Sequence, residues 1–334
     1  MKNNIATISI NTECNNNCLY CFNRKNASQK KELSLDEIKE ISRWLKKTYS
    51  GVGILGGEPL LHSNIHEIIK YLSTEFLQVK LITNLVSDDE NLIKYLKGID
   101  NLTYLINTTT DKKNKELFNK NINTLFIENN FEVHNNNYPV FSLVFTGNKE
   151  IDTQSIDNVI NILKKFPQKF WRLRVMPNMP CIDNNIEYKM MNYDYQFNYF
   201  IDKVSSELGR IILSFDCGIN FCFISPNVLQ KLKKAFCFIY SYSFCSGPHT
   251  DISVDKTISY CHYLSHLYYQ PKFYYEFETP NDYVNYHSLV KEKYFTKHKY
   301  LCKEIMNKDA CSKNCQGFCP ALTSKILQEK ISIN

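Results

Sequence analysis

The chain has 334 residues, 43% of them apolar, so it is longer than one average domain and can fill extensive cores. Its net charge of +6 is mild for the length and spread along the chain, which argues against a nucleic-acid binder but leaves an anionic substrate open. No run approaches the ~18 apolar residues of a membrane helix, and the opening MKNNIATISINTE has no apolar signal region. A cytoplasmic protein is expected, with neither nucleic acid nor membrane as partner. The abundance of Lys and Asn reads as compositional bias. The thirteen cysteines do not. Disulfides are a poor explanation in a reducing compartment, and clustered thiols point instead to metal or iron–sulfur chemistry.

In chain order, residues 5–13 (IATISINTE) read as a strand that runs into TECNNNCLYCF, where Cys14, Cys18 and Cys21 have C-x3-C-x2-C spacing. A helix follows in SLDEIKEISRWLKKTY, with Ser34 and Glu37 at capping-box spacing. The strand GVGILGGE (51–58) leads into PLLH and the helix NIHEIIKYLSTEF. Four more pairs continue the pattern: VKLITNL (79–85) with ENLIKYLKGI, LTYLINTT (102–109) with KELFNKNINTLFIENN, PVFSLVFTG (139–147) with IDNVINILKKF, and FWRLRVMP (170–177) with YQFNYFIDKVSSELG. Six βα units in a row imply a parallel sheet covered by helices, an α/β fold of the partial (β/α)6, TIM-like barrel type. Active residues in such barrels sit on loops leaving the C-terminal strand ends, which is where the three cysteines fall.

From about residue 211 the chain becomes rich in cysteine and aromatic residues and loses a clear βα rhythm. The expected division is a barrel over 1–210 and a smaller, cysteine-rich α+β domain over 211–334, stapled by metal. No low-complexity linker separates the two, so they are expected to pack together.

Three thiolates are one short of a closed tetrahedral site. In a [4Fe–4S] cluster they leave one iron open. Taken alone, the motif also suits a zinc knuckle with a distant fourth ligand. GGEPLLH, residues 56–62, decides between the two. With it, the chain resembles the radical S-adenosylmethionine superfamily. The resemblance implies that Cys14, Cys18 and Cys21 hold a [4Fe–4S] cluster whose open iron is chelated by S-adenosylmethionine. Reductive cleavage of that cofactor would give a 5′-deoxyadenosyl radical that abstracts hydrogen from a substrate. Tyr20 is expected near the adenine. Gly56, Gly57 and Pro59 shape the turn, the glycines letting backbone approach a ligand, and Glu58 faces the cofactor's ammonium group. Thr83 and Asn84 would form a polar turn against the cofactor.

Ser142 shares an inward strand face with Val144 and Thr146 and is a candidate ribose contact, with an ordinary buried hydroxyl as the alternative. Arg172 and Arg174 share a face opposite Leu173 and Val175 and need anionic partners. For Arg174 that is a cofactor or substrate carboxylate, while Arg172 equally suits a structural acid.

The C-terminal cysteines resemble the SPASM or twitch extension of this superfamily, which carries auxiliary [4Fe–4S] clusters. Cys245 and Cys261 flank a hairpin-like stretch, Cys302, Cys311, Cys315 and Cys319 match the closing knot, and Cys217 and Cys222 match upstream ligands. Two departures stand out: Lys256 occupies the usual glycine position, and no cysteine follows Cys319. These eight would serve one or two auxiliary clusters. Cys237 then reads as a core thiol, and Cys181 as a candidate hydrogen donor or an inert loop residue. The resemblance implies an external one-electron reductant of flavodoxin or ferredoxin type. The expected substrate is a peptide undergoing oxidative modification, with a separate leader-binding protein as a further partner. A peptide epimerase, a small-molecule alcohol or sugar dehydrogenase, and a non-catalytic iron–sulfur carrier or sensor are the alternatives.

Overall fold

The computed structural model describes residues 5–18, 21, 29–108, 114–127, 139–165, 170–177, 193–207, 210–215, 224–235, 238–242, 250–259 and 271–289. Strands β1 (Ile5–Ser9), β2 (Gly51–Leu55), β3 (Gln78–Thr83), β4 (Leu102–Asn107), β5 (Val140–Phe145) and β6 (Phe170–Pro177) lie side by side in sequence order, all parallel. Between them run α1 (Leu35–Leu45), α2 (Ile65–Glu75), α3 (Glu90–Lys97), α4 (Lys115–Ile122) and α5 (Lys149–Leu163). This is the mixed α/β fold around a parallel sheet that the alternation predicts. The capping box forms as expected: Ser34 Oγ accepts from Glu37 N, and the Glu37 carboxylate accepts from Ser34 N at 2.8 Å.

One face of the sheet makes the main core. Ala6, Ile8, Val52, Ile54, Val79, Leu81, Phe141, Leu143, Phe145, Leu173 and Val175 are fully inaccessible and belong to one cluster with helix residues such as Ile38, Ile41, Ile68, Ile69 and Leu72. Apart from Ala6, each such side chain contributes about 1.5–3 kcal/mol by leaving water. Alternate residues face the other way, and there the register aligns Asn107, Ser142, Arg174 and Ser214 across four strands.

The βα rhythm does not end at residue 210. After α6 (Asp194–Glu207), β7 (Arg210–Phe215) pairs in parallel with β6, and after α7 (Pro226–Ala235), β8 (Phe238–Tyr242) pairs in parallel with β7. The clue for α7 is Ser225-Pro226 before an apolar stripe of Val228 and Leu232, since proline suits the first helical turn.

At the other edge the chain returns. β9 (Asp251–Ile252) pairs in parallel with β1, and β10 (Thr257–Ser259) and β11 (Lys272–Phe273) follow antiparallel. β1, whose end carries the three cysteines, is therefore flanked on both sides. Tyr49 Oη and Thr250 Oγ1 lie 2.6 Å apart, and Trp44 donates to the Phe277 carbonyl at 2.8 Å, tying this return to α1 and the turn after it. Among the described residues no helix is long and apolar enough to cross a membrane.

Lys256 closes the β9–β10 turn with φ of 67°, the left-handed region that favours glycine, and its ammonium pairs with Glu37 at 2.7 Å. The glycine expected there by resemblance is thus replaced by a strained lysine with a partner on α1. Lys256→Gly should be more stable than Lys256→Ala by about 1 kcal/mol, because both lose the pair but only glycine sheds the strain. Urea unfolding of the two variants checks this, and equal midpoints would contradict it.

Candidate functional site

Two turns at the C-terminal ends of β2 and β3 meet the loop that leaves β1. The first is Gly56-Gly57-Glu58-Pro59. A β-carbon on Gly56 would lie 2.1 Å from Asn11 Oδ1, and one on Gly57 would lie 2.1 Å from the Glu13 carbonyl oxygen. The glycines make room for the protein's own backbone, the segment entering Cys14. That contact is hydrogen bonded: Gly57 N donates to Asn11 O at 3.0 Å, Glu58 N to Glu13 O at 2.7 Å, and Asn11 Nδ2 to Glu58 O at 2.8 Å. The approach of turn to loop is set by these contacts.

Glu58 is 1% exposed. Its Oε1 accepts from Leu60 N at 3.1 Å and from Thr83 Oγ1 at 2.5 Å, and its Oε2 accepts from Asn84 N at 2.7 Å. Burial pushes its carboxyl from the ordinary 4.5 up to about 7, against the pull of those three donors. Among the described residues nothing cationic appears as a hydrogen-bond partner of Glu58.

The second turn is Thr83-Asn84-Leu85. Asn84 Nδ2 reaches Asn15 Oδ1 at 3.0 Å and Cys14 Sγ at 3.9 Å, while its Oδ1 accepts from Val86 N at 2.8 Å. Asn15 Nδ2 in turn donates to Val86 O at 2.6 Å. Leu85 is fully buried with φ of 56°, so a non-glycine residue holds the left-handed geometry that turns Asn84 toward Glu58 and Cys14. The predicted Thr83 and Asn84 are thus brought together with Glu58 and the cysteine loop.

Cys14, Cys18 and Cys21 are half-buried and unbridged. Burial, helped by the nearby Glu58 and the other two thiols, pushes Cys14 up to about 12, with the Asn16 N–H pulling the other way. A thiol so placed keeps its proton until a metal displaces it. Among the described residues no three Cys, His, Asp or Glu side chains converge on a single ion. A cubane does not require that, because it spreads its thiolates over separate irons. The loop's far end is stapled back: Leu33 N donates to Ile10 O at 2.9 Å, Thr12 N to Lys31 O at 3.0 Å, and His62 Nε2 lies 2.9 Å from Leu33 O.

Ser142 is buried, and its Oγ has no hydrogen-bond partner among the described residues. Arg174 is its cross-strand neighbour on β6, half-buried on the same inward face as Arg172. A buried hydroxyl and a buried carboxylate that find neither a partner nor a cation, respectively, among the described residues, with a guanidinium on the strand beside the hydroxyl, fit a polar, zwitterionic ligand. Tyr20, Cys181, Cys217, Cys222, Cys237, Cys245, Cys261, Cys302, Cys311, Cys315 and Cys319 lie outside the described residues.

The sequence reading singled out Asn84 but missed the asparagines around it. With Asn84, residues Asn11, Asn15, Asn114 and Asn121 form most of the hydrogen bonds around the two turns, where composition alone suggested bias.

Residues 8–172 match the family described as the Radical SAM superfamily. The match contains both turns and the cysteine loop, so residues 8–172 carry the domain of that superfamily, which uses a [4Fe–4S] cluster and S-adenosylmethionine. In sequence it is similar to a probable GTP 3′,8-cyclase of Methanococcus maripaludis, 38% identical over 80 residues, covering 23% of this chain and 27% of that protein. A probable GTP 3′,8-cyclase of Pyrococcus horikoshii is 29% identical over 231 residues, covering 68% of this chain and 64% of the relative. In fold it is similar to Streptococcus suis SuiB bound to S-adenosylmethionine, with TM-score 0.54 and 14% identity, over 82% of this chain and 63% of the other. SuiB bound to the precursor peptide SuiA gives TM-score 0.56 and 14% identity, over 84% and 63%. The chain covers less than two thirds of each of these proteins.

Two predictions follow from the turn geometry. Gly57→Ala should cost about 2–3 kcal/mol, since backbone faces backbone there, whereas Gly98→Ala, whose β-carbon would meet only Tyr95 O at 3.7 Å, should be close to neutral. Equal unfolding midpoints would contradict this account of the turn. The raised Glu58 carboxyl has a definite sign: the folded state holds its proton more tightly than the unfolded one, so the contribution to stability is present below 4.5 and lost as pH rises through about 7. Iron-free wild type should therefore lose more thermal stability from acid to neutral pH than Glu58→Gln. Parallel pH profiles would contradict a buried, proton-holding Glu58.

Proposed function

We propose that this chain is a radical S-adenosylmethionine enzyme acting on a peptide. The observation that carries the chemistry is the buried Glu58 carboxylate, held by Thr83 and Asn84 and with no hydrogen-bonded cation among the described residues, beside the loop of Cys14, Cys18 and Cys21. Those three thiolates would hold a [4Fe–4S] cluster. When bound, cluster and S-adenosylmethionine supply a 5′-deoxyadenosyl radical on one-electron reduction.

This chain's residues do the holding. Glu58 takes the cofactor's ammonium, Gly56, Gly57 and Pro59 set the turn that aims it, Asn84 orients the cysteine loop, Ser142 offers its hydroxyl to the ribose, and Arg174 pairs with a carboxylate. Tyr20 would cover the adenine. Cys217, Cys222, Cys245, Cys261, Cys302, Cys311, Cys315 and Cys319 are proposed ligands of one or two auxiliary clusters in the region 211–334, which the division drawn from sequence assigns to a SPASM-like domain. Cys181 is the candidate hydrogen donor should the outcome be epimerisation. A flavodoxin- or ferredoxin-type reductant and a separate leader-binding protein complete the proposed partners, in the cytoplasm.

The peptide reading is supported by the fold shared with SuiB over 84% of the chain, a protein whose structure holds a precursor peptide, and by the ten cysteines outside the first motif. A second reading is favoured by the relatives named GTP 3′,8-cyclase: two inward arginines on β6 would suit a polyphosphate. Incubation with GTP and, separately, with a peptide encoded beside the gene, in deuterated buffer, distinguishes them by mass. Loss of two hydrogens from the peptide is expected. Gain of one deuterium would make the enzyme an epimerase, and a GTP-derived cyclic product with untouched peptide would overturn the peptide reading.

For the cofactor site, Glu58→Gln should weaken S-adenosylmethionine binding about tenfold, the value of a charge-assisted hydrogen bond. An unchanged dissociation constant by calorimetry would place the ammonium elsewhere.

A further inference from the structure

Helix α4 carries none of the motif residues, yet two of its asparagines reach both halves of the site. Asn114 stands at the N-cap position, where an asparagine normally turns its side chain onto the first free backbone N–H groups. Here it makes no such bond. Its Nδ2 donates instead to Asn15 O at 3.2 Å and to Asn16 Oδ1 at 2.7 Å, both between Cys14 and Cys18. Seven residues on, two turns along the same helix face, Asn121 is 3% exposed and donates to Leu85 O at 2.8 Å and Ser87 O at 2.7 Å. Those carbonyls belong to Leu85 itself and to the residue two positions on, so Asn121 holds the exit of the left-handed turn at Leu85, the strained position beside Asn84, whose N donates to Glu58 and whose Nδ2 reaches Cys14.

From this geometry we infer that α4 braces the cofactor site, with Asn114 and Asn121 as positioning residues for the cysteine loop and for the turn after β3. The inference rests on the reading of Cys14, Cys18, Cys21 and Glu58 as that site. Strain of the kind at Leu85 persists only where surrounding contacts over-determine it, and Asn121 supplies two of them. Asn114 gives up a stabilising cap to hold a loop. That choice makes sense when loop position matters more than helix stability.

The substitution Asn114→Ser separates a positioning role from a structural one. Serine caps a helix as well as asparagine does but is too short to reach Asn15 and Asn16. The iron-free variant should melt at or above the wild-type temperature, while the reconstituted variant should bind S-adenosylmethionine about fivefold more weakly, the scale of a lost hydrogen bond. Asn121→Ser should weaken binding likewise in protein that still shows wild-type circular dichroism. Wild-type affinity in Asn114→Ser would overturn the brace while leaving the site assignment intact, as would a fall in melting temperature with affinity unchanged. Failure of the reconstituted wild type to bind S-adenosylmethionine would remove both.

Discussion

A carboxylate taken fully out of water, with no cationic hydrogen-bond partner among the described residues, is the constraint around which this structure is arranged. Burying a charge is costly unless it is paired and hydrogen bonded, and three donors from two different turns converge on Glu58. They lower the cost without removing it, so the group sits near neutrality in pKa with capacity left for a cation. The surrounding elements follow from that need. The glycines let the β2 turn press onto the Asn11–Glu13 backbone, the left-handed Leu85 turns the β3 loop inward, and Asn84 links both to Cys14.

The βα alternation was legible because each strand is short, apolar and followed by an amphipathic helix. The capping box at Ser34 and Glu37 was legible from spacing alone. The motif cysteines and GGEP could be placed at strand ends because strand ends were predictable. Three features were not legible. A helix-length stripe in PNVLQKLKKA was masked by the neighbouring cysteines, which drew attention to metal binding. Leu85 carries no sign of positive φ, since that geometry is imposed by tertiary contacts, and at Lys256 the only sign was the glycine usual at that position, not the lysine itself. The asparagine network was hidden by abundance: an Asn-rich chain gives no local reason to single out Asn114 or Asn121, and only their placement on one face of α4 shows what they hold.

The return of the chain at β9 and β10 gives the N-terminal strand a second neighbour. An edge strand would leave β1 able to fray or to pair with another chain. Flanked by β2 and β9 and tied through Tyr49 and Trp44, it offers a fixed base for the loop that follows. The left-handed Lys256 is tolerated because it secures this return to Glu37 on α1. Strain at Leu85 and at Lys256 thus serves one end, a rigid approach to Cys14 from both sides.

The central claim is that the Glu58 turn and the Cys14–Cys21 loop together form a working S-adenosylmethionine site. Anaerobically reconstituted wild-type protein, reduced with dithionite and supplied with S-adenosylmethionine, tests it most directly. The account predicts 5′-deoxyadenosine and methionine in equal amounts, and none from protein in which Cys14, Cys18 and Cys21 are all replaced by Ala. Equal 5′-deoxyadenosine from the triple variant, or none from fully iron-loaded wild type, would contradict it.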